Sequence, residues 1–194
     1  MPNKTMPTGE EPRIGFESVV NLGVIDESLS INSVVLSQLA RVELSEIESV
    51  RSRALSLITT ITGLTDDTLP FKKESNLIAD KSASEKLLFR AYLGKKLVAY
   101  ALIIINWPDQ GEWAIQHMIV DPDYRLKGIG SSIVAAIEEF ASSPEVGATA
   151  ICAIPIQESG IAFWQDKGYT EQASSLYLND ANTDREFYLY RKRF

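Results

Sequence analysis

Apolar residues along this chain keep two different periods, and the change of period divides the sequence into elements. Ile47, Val50, Ala54, Leu57, Ile58 and Ile61 recur at three- and four-residue steps, which is one face of an α-helix. Ser45 followed by Glu48 is a capping-box pattern, and Gly63 is placed to end the helix, so the spacing predicts a helix over 45–62. A second stripe, Ile133, Val134, Ile137, Phe140 and Ala141, predicts a helix that begins after Gly130 and closes before Pro144. Elsewhere the apolar runs are shorter. Leu87–Leu93 and Leu97–Trp107 flank the turn signal Gly94-Lys95-Lys96 and predict a hairpin. Glu112–Val120 is a third strand, set between turns at 108–111 and 121–123. Ala148–Ile156 has the texture of a buried strand, and Glu158–Lys167 that of a short amphipathic helix stopped by Gly168. Two final strands are expected near Ser175–Leu178 and Arg185–Tyr190.

The front of the chain is less regular. Residues 1 to about 13 are rich in Pro, Gly, Thr and charge and predict a loose tail. Ser33–Leu39 is a candidate first strand, and 64–84, polar and broken by Pro70, predicts a loop with a short helix. The expected division is a flexible or irregular extension over 1–30 and one domain over 31–194. The order of elements predicts a mixed α/β domain of the α+β type, antiparallel in front, with at least one βαβ crossover.

Composition narrows the function classes. Lys and Arg number 19 against 26 Asp and Glu, a formal net charge of −7. Binding a phosphate backbone needs a basic surface, so nucleic acid is not an expected partner, and a cationic acceptor such as an amine fits better. The longest apolar run, Leu97–Trp107, is too short to span a bilayer, and the start Met1-Pro2-Asn3-Lys4 has no apolar signal core. A cytoplasmic protein with no membrane partner and no metal is expected. The one cysteine, Cys152, excludes an intrachain disulfide, and its apolar run favours a small buried hydrophobe over a nucleophile.

The strongest chemical signal lies where the third strand meets the second helix, at Tyr124-Arg125-Leu126-Lys127-Gly128-Ile129-Gly130-Ser131. Glycine lets backbone approach a ligand closely and take positive φ. The first turn of a helix leaves N–H groups unpaired, and with the helix dipole they form an anion site. Arg125 and Lys127 add charge beside it. A phosphate or pyrophosphate ligand follows; the plainer alternative is a glycine-bearing helix start with two incidental basic residues. A P-loop is absent, and a dinucleotide fingerprint lacks its third glycine because position 133 is Ile.

The segment Val120-Asp121-Pro122-Asp123-Tyr124-Arg125-Leu126-Lys127-Gly128-Ile129-Gly130 resembles motif A of the GNAT superfamily of N-acetyltransferases, and Ala162-Phe163-Trp164-Gln165-Asp166-Lys167-Gly168-Tyr169 resembles its motif B. The likeness covers about residues 86–190. It implies a mixed central sheet, mostly antiparallel with a splayed parallel pair, flanked by helices. It implies acetyl-CoA as co-substrate and direct attack by a primary amine, small-molecule or protein, through a tetrahedral intermediate. Met118, Ile119 and Val120 would offer backbone groups to the pantetheine arm. Arg125, Leu126, Lys127, Gly128, Ile129, Gly130 and Ser131 would wrap the pyrophosphate, and Ala162 and Phe163 would flank the coenzyme. A homodimer is the oligomeric expectation for a small enzyme.

The chain departs from the family at the chemistry. The family's thiolate acid, a Tyr, is replaced by Trp164, leaving Tyr169 or a final-strand Tyr as substitutes. The family's base positions hold Ala114 and Gln116. Strict alternation puts Glu112, Ala114, Gln116 and Met118 on one face and Trp113, Ile115, His117 and Ile119 on the other, and a bulge would mix the two sets. Glu112 is a candidate base against a solvated strand-end carboxylate, and His117 against a packing histidine. Trp107 and Trp113 bracket the turn at 108–111 as an aromatic pair packed across it, and Arg191-Lys192-Arg193 reads as a solvated C-terminus. Two other functions fit: a coenzyme-binding sensor with weak turnover, and a transferase for a longer acyl group.

Overall fold

A computed structural model describes residues 16–20, 29–35, 41–62, 86–155, 158–176 and 187–194. Its elements run β1 (Glu17–Val20), β2 (Leu29–Val35), α1 (Arg41–Thr62), β3 (Lys86–Leu93), β4 (Lys96–Ile105), β5 (Glu112–Val120), a 3-10 turn (Pro122–Tyr124), α2 (Ile129–Ser142), β6 (Ala150–Ala153), α3 (Glu158–Asp166), β7 (Thr170–Leu176) and β8 (Phe187–Arg193). The strands form one sheet in the order β1-β2-β3-β4-β5-β6-β8-β7. Every neighbouring pair is antiparallel except β5 and β6, which run parallel. Parallel neighbours need a crossover, and α2 supplies it.

Helices cover both faces, which explains why β3 and β4 are apolar almost throughout rather than alternating. On the α2 face, Phe89, Ala91, Val98, Ala101, Ile103, Trp113 and Ile115 pack with Ile133, Val134 and Ile137. On the other face, Ile47 and Val50 of α1 cover Leu88, Leu97, Tyr100 and Leu102. Beside them, Ala114, Cys152 and Leu189 form a third patch with Trp107 and Ile154. Ile137 is wholly buried, and cutting it back to Ala would cost about 2–5 kcal/mol.

Several boundaries differ from the sequence reading. Helix α1 begins at Arg41, so Ser45 and Glu48 lie inside it, and Glu48 pairs with Arg51 at 3.9 Å instead of capping. The sheet begins within the segment read as an irregular extension. Residues 17–20 form β1, which takes its order from register with β2, Glu17 opposite Asn32 and Val20 opposite Leu29, and not from a period of its own. Trp113 packs on Phe140 of α2 at 5.9 Å, whereas Trp107 lies in the opposite-face patch, so the two do not pair. Arg191 and Lys192 belong to β8 and carry ion pairs rather than trailing into solvent. The expectations for residues 1–13 and 64–84 lie outside the described residues. Among the described residues no helix is long and apolar enough to cross a membrane.

Candidate active site

Strand β5 carries the site. Its register against β4 skips one residue: Ile103 pairs with Ile115 and Leu102 with His117, leaving Gln116 as the bulge. The bulge re-sorts the faces. Trp113, Ile115, Met118 and Val120 share the α2 side, while Ile119 joins the α1 cluster. His117, opposite Leu102 and beside Arg51 of α1, turns to that side too. Strict alternation had grouped Met118 with Ala114 and His117 with Ile115, and the extra residue reverses both.

The bulge falls where the parallel pair ends. Pairing of β5 with β6 runs from Glu112 opposite Ala150 to Ile115 opposite Ala153. Among the described residues no β6 partner meets Gln116–Val120, so that half of β5 presents an open backbone edge. The Gln116 Oε1 is buried at this point without a hydrogen-bond partner among the described residues.

Beyond the open edge the chain is held in a fixed turn. Asp121 is wholly buried. Its backbone N–H donates to Val98 O at 2.8 Å, and its carboxylate accepts from Asp123 N at 3.2 Å and pairs with Arg53 of α1 at 2.7 Å. The Arg125 Nε donates to Val120 O at 3.2 Å and the Lys127 Nζ to Asp123 O at 2.9 Å, so both basic side chains fold back onto the turn. Leu126 sits at φ 60° and Gly128 at φ 83°. Only glycine takes that region freely.

Gly128 is the N-cap of α2, and it offers no side chain to the first-turn N–H groups. Among the described residues nothing lies within 4 Å of where its Cβ would be, so the cradle is open to them above it. Gly130, two residues on, faces neighbours at ordinary contact distance: a Cβ there would lie 3.7 Å from Met118 Cε and from the Phe163 ring. The fold thus brings together the end of β5, the start of α2 and the middle of α3, all named from the sequence. Ala162, on α3 beside Phe163, is exposed.

The candidate catalytic groups are separated. Glu112 is buried and paired with Arg191 Nη2 at 2.9 Å; Arg191 also reaches Asp109 at 3.6 Å and donates from Nε to Cys152 Sγ at 3.5 Å. Burial pushes the Cys152 thiol up to about 11, against the lowering effect of Arg191. This ion-paired cluster sits at the closed end of β5. His117, next to the bulge, has its pKa pushed down to about 3 by burial and then by the Arg51 cation, so it is neutral at neutral pH. The Tyr169 hydroxyl is buried beside Glu138, and burial first and that carboxylate second push its pKa up. Tyr190 donates to Glu171 at 2.9 Å. Trp164 packs edge-on against Phe163 and Tyr169 at 5.1 and 4.9 Å. No group of three or more metal-ligating side chains clusters among the described residues.

Sequence reasoning missed Arg191, Asp121, Arg53 and Arg51 as parts of this architecture. Asp121 alone left a signal, an Asp-Pro at a strand end that favours a capped turn. The others meet partners distant in sequence.

The Acetyltransferase (GNAT) family matches residues 56–169. No curated protein matches the sequence. Solved structures with the same fold include an acetyltransferase from Thermus thermophilus, at 14% identity over 84% of this chain and 97% of that one with a TM-score of 0.59. The PaiA N-acetyltransferase of Thermoplasma acidophilum, solved with coenzyme A, matches at 13% identity over 84% and 99% with a TM-score of 0.59. The ribosomal-protein-S18-alanine N-acetyltransferase of Escherichia coli matches at 17% identity over 83% and 93% with a TM-score of 0.57. The family match spans more than half of the sequence and includes the open edge of β5, the glycine turn and α3, and the chain belongs to the acetyltransferase (GNAT) family.

Proposed function

We propose that the chain transfers an acetyl group from acetyl-CoA to a primary amine, on a small molecule or a protein, within one acetyl-CoA-binding domain. The observation that carries this reading is an open backbone edge of β5 leading into a glycine-capped helix start with free space above Gly128. The residues present fit the coenzyme. The first-turn N–H groups of α2 suit a pyrophosphate, and the edge of Met118, Ile119 and Val120 suits the two amides of a pantetheine arm. Arg125 and Lys127 act by fixing the turn, since both donate to its carbonyls. Gly128 to Ser131 supply the anion contacts, Leu126 its exposed rim, and Ala162 and Phe163 the far wall.

Acetyl-CoA would supply an activated thioester: the amine nitrogen adds to its acyl carbon to give an oxyanion, and the carbon–sulfur bond breaks as that oxyanion collapses. A backbone N–H at Ile119 or Val120 would stabilise the oxyanion, an effect of about 3 kcal/mol for one well-aimed donor. Of the two candidate bases, His117 borders the bulge, whereas Glu112 is held by Arg191 well before it, about 13 Å back along the strand. With its pKa held down to about 3, His117 is too weak a base to keep a proton at neutral pH, so the amine proton passes to water. Tyr169 and Tyr190 are committed to the core, so neither is placed to protonate the thiolate; its own low basicity lets it leave unprotonated near neutral pH.

Thermal unfolding of the full chain with acetyl-CoA, and with ATP and NAD as controls, tests the reading. Native-state binding raises the midpoint by mass action. A rise with acetyl-CoA alone is expected; no rise, or a larger one with a nucleotide, overturns it. A sensor with weak turnover is the second reading, and the engagement of Glu112, Tyr169 and Tyr190 favours it. Tight acetyl-CoA binding with no thiol release across a panel of amines would decide for the sensor.

A further inference from the structure

The glycine turn is flanked by Lys96, a cation that the reading above leaves without a task, and by the ammonium of Lys127. Lys96, at the end of the β3–β4 turn, holds its ammonium 4.5 Å from the Tyr124 ring centroid and 3.2 Å from the Tyr124 hydroxyl. Lys127, inside the glycine turn, holds its ammonium 5.0 Å from the same centroid. Two ammonium groups thus gather around one phenol ring, that of Tyr124, at the entry to the glycine turn. Their charge is little neutralised by the described residues. Lys127 donates to a neutral carbonyl, Asp123 O. Lys96 reaches Asp121 only at 3.8 Å, and that carboxylate already holds Arg53 at 2.7 Å. On a chain of net charge −7 this is a local reversal of sign, and both lysines are exposed.

Coenzyme A carries two separate anions, the pyrophosphate and a phosphomonoester on the ribose 3′ oxygen. The start of α2 accounts for the first. We propose that Lys96, Lys127 and the Tyr124 hydroxyl form a second anion subsite that takes the 3′-phosphate and makes the protein selective for 3′-phosphorylated coenzyme. A phosphomonoester is close to a dianion at neutral pH and has three acceptor oxygens. Lysine is suited to it as a mobile point charge on a flexible stem. The cation–π contacts keep both stems near Tyr124 when no anion is bound. This inference rests on the coenzyme reading above.

The test is calorimetric titration of the full chain with acetyl-CoA and with acetyl-3′-dephospho-CoA at low salt, for the wild type and Lys96→Met. Methionine keeps the apolar stem over Tyr124 and removes only the charge. The wild type is expected to prefer acetyl-CoA by about tenfold or more. Lys96→Met should lose most of that preference by weakening acetyl-CoA alone, and Lys96→Arg should keep it. A wild-type ratio near one, or a Lys96→Met variant that weakens both ligands equally, overturns the subsite and leaves the coenzyme reading standing. Failure of the wild type to bind either ligand overturns both.

Discussion

The two halves of β5 are built to opposite ends. Glu112–Ile115 pairs with β4 on one side and β6 on the other, and its one charged residue is locked to Arg191. Among the described residues Gln116–Val120 pairs with β4 alone, starts with a bulge and keeps a buried amide oxygen without a partner. One half commits its polar groups to the fold. The other leaves its β6-side backbone edge and the Gln116 oxygen without partners among the described residues, beside a helix start that has no side-chain cap. The closed half is therefore a frame for the open half, and substitutions should separate the two.

The largest effect is expected at the open end. Gly130→Glu fits a helical backbone and would meet Met118 and Phe163 only at ordinary contact distance. It also puts a carboxylate where an anion is to bind. Acetyl-CoA affinity should fall about a thousandfold, ~4 kcal/mol, with unfolding midpoint little changed. Unaltered affinity in calorimetry would refute the placement of the coenzyme.

The closed half should answer in the reverse way. Glu112→Ala leaves Arg191 without its nearest carboxylate partner in a mostly buried place. Denaturant unfolding should register a loss of about 3 kcal/mol, while acetyl-CoA affinity stays within about twofold. A variant that keeps its stability and loses turnover would instead make Glu112 the base.

His117 stands at the junction and gives the comparison a pH axis. Its folded pKa, about 3, lies below the ordinary 6.5, so the unfolded chain takes the proton first as pH falls. Its stability contribution is complete above about pH 6.5 and is lost as pH falls toward 3, at up to ~1.4 kcal/mol per unit. His117→Gln should flatten that part of the curve between pH 7 and pH 5 in urea titrations. A slope unchanged by the substitution would mean that carboxylates elsewhere produce it.

What could be read in advance follows from how far each signal reaches along the chain. The stripes Ile47–Ala54 and Ile133–Ala141 and the glycines at 128 and 130 are local patterns, and each marks an element or turn found where expected. The bulge is not local. In β5, apolar residues stand on both faces and the polar pair Gln116 and His117 occupies adjacent positions, so a one-residue slip leaves no trace in the pattern. Only the pairing of Leu102 with His117 reveals it. The Arg191–Glu112 pair is equally hidden, because a basic run at a chain end looks alike whether it is solvated or carried into the sheet by β8, between β6 and β7. Strand β1 has four residues and depends on β2 for its register, so its own sequence says little.

The smallest prediction concerns the strain in the glycine turn. Leu126 takes φ 60° with its side chain wholly exposed, so the conformation costs about 1 kcal/mol of backbone energy and recovers nothing by packing. Replacement by glycine removes the Cβ clash and loses no contact, although it frees the unfolded chain slightly. Leu126→Gly should therefore raise stability by about 0.5–1 kcal/mol. If the leucine only marks the rim of the cradle, acetyl-CoA affinity will stay within about twofold, because the turn is already fixed by Arg125 on Val120 O and Lys127 on Asp123 O. A more stable variant that binds acetyl-CoA about tenfold more weakly would instead mean that the strain is held for the ligand, with the exposed leucine closing over the coenzyme when it arrives. That outcome would extend the open half of β5 beyond Val120 and make the turn, and not only the strand edge, the part of the fold left incomplete without its ligand.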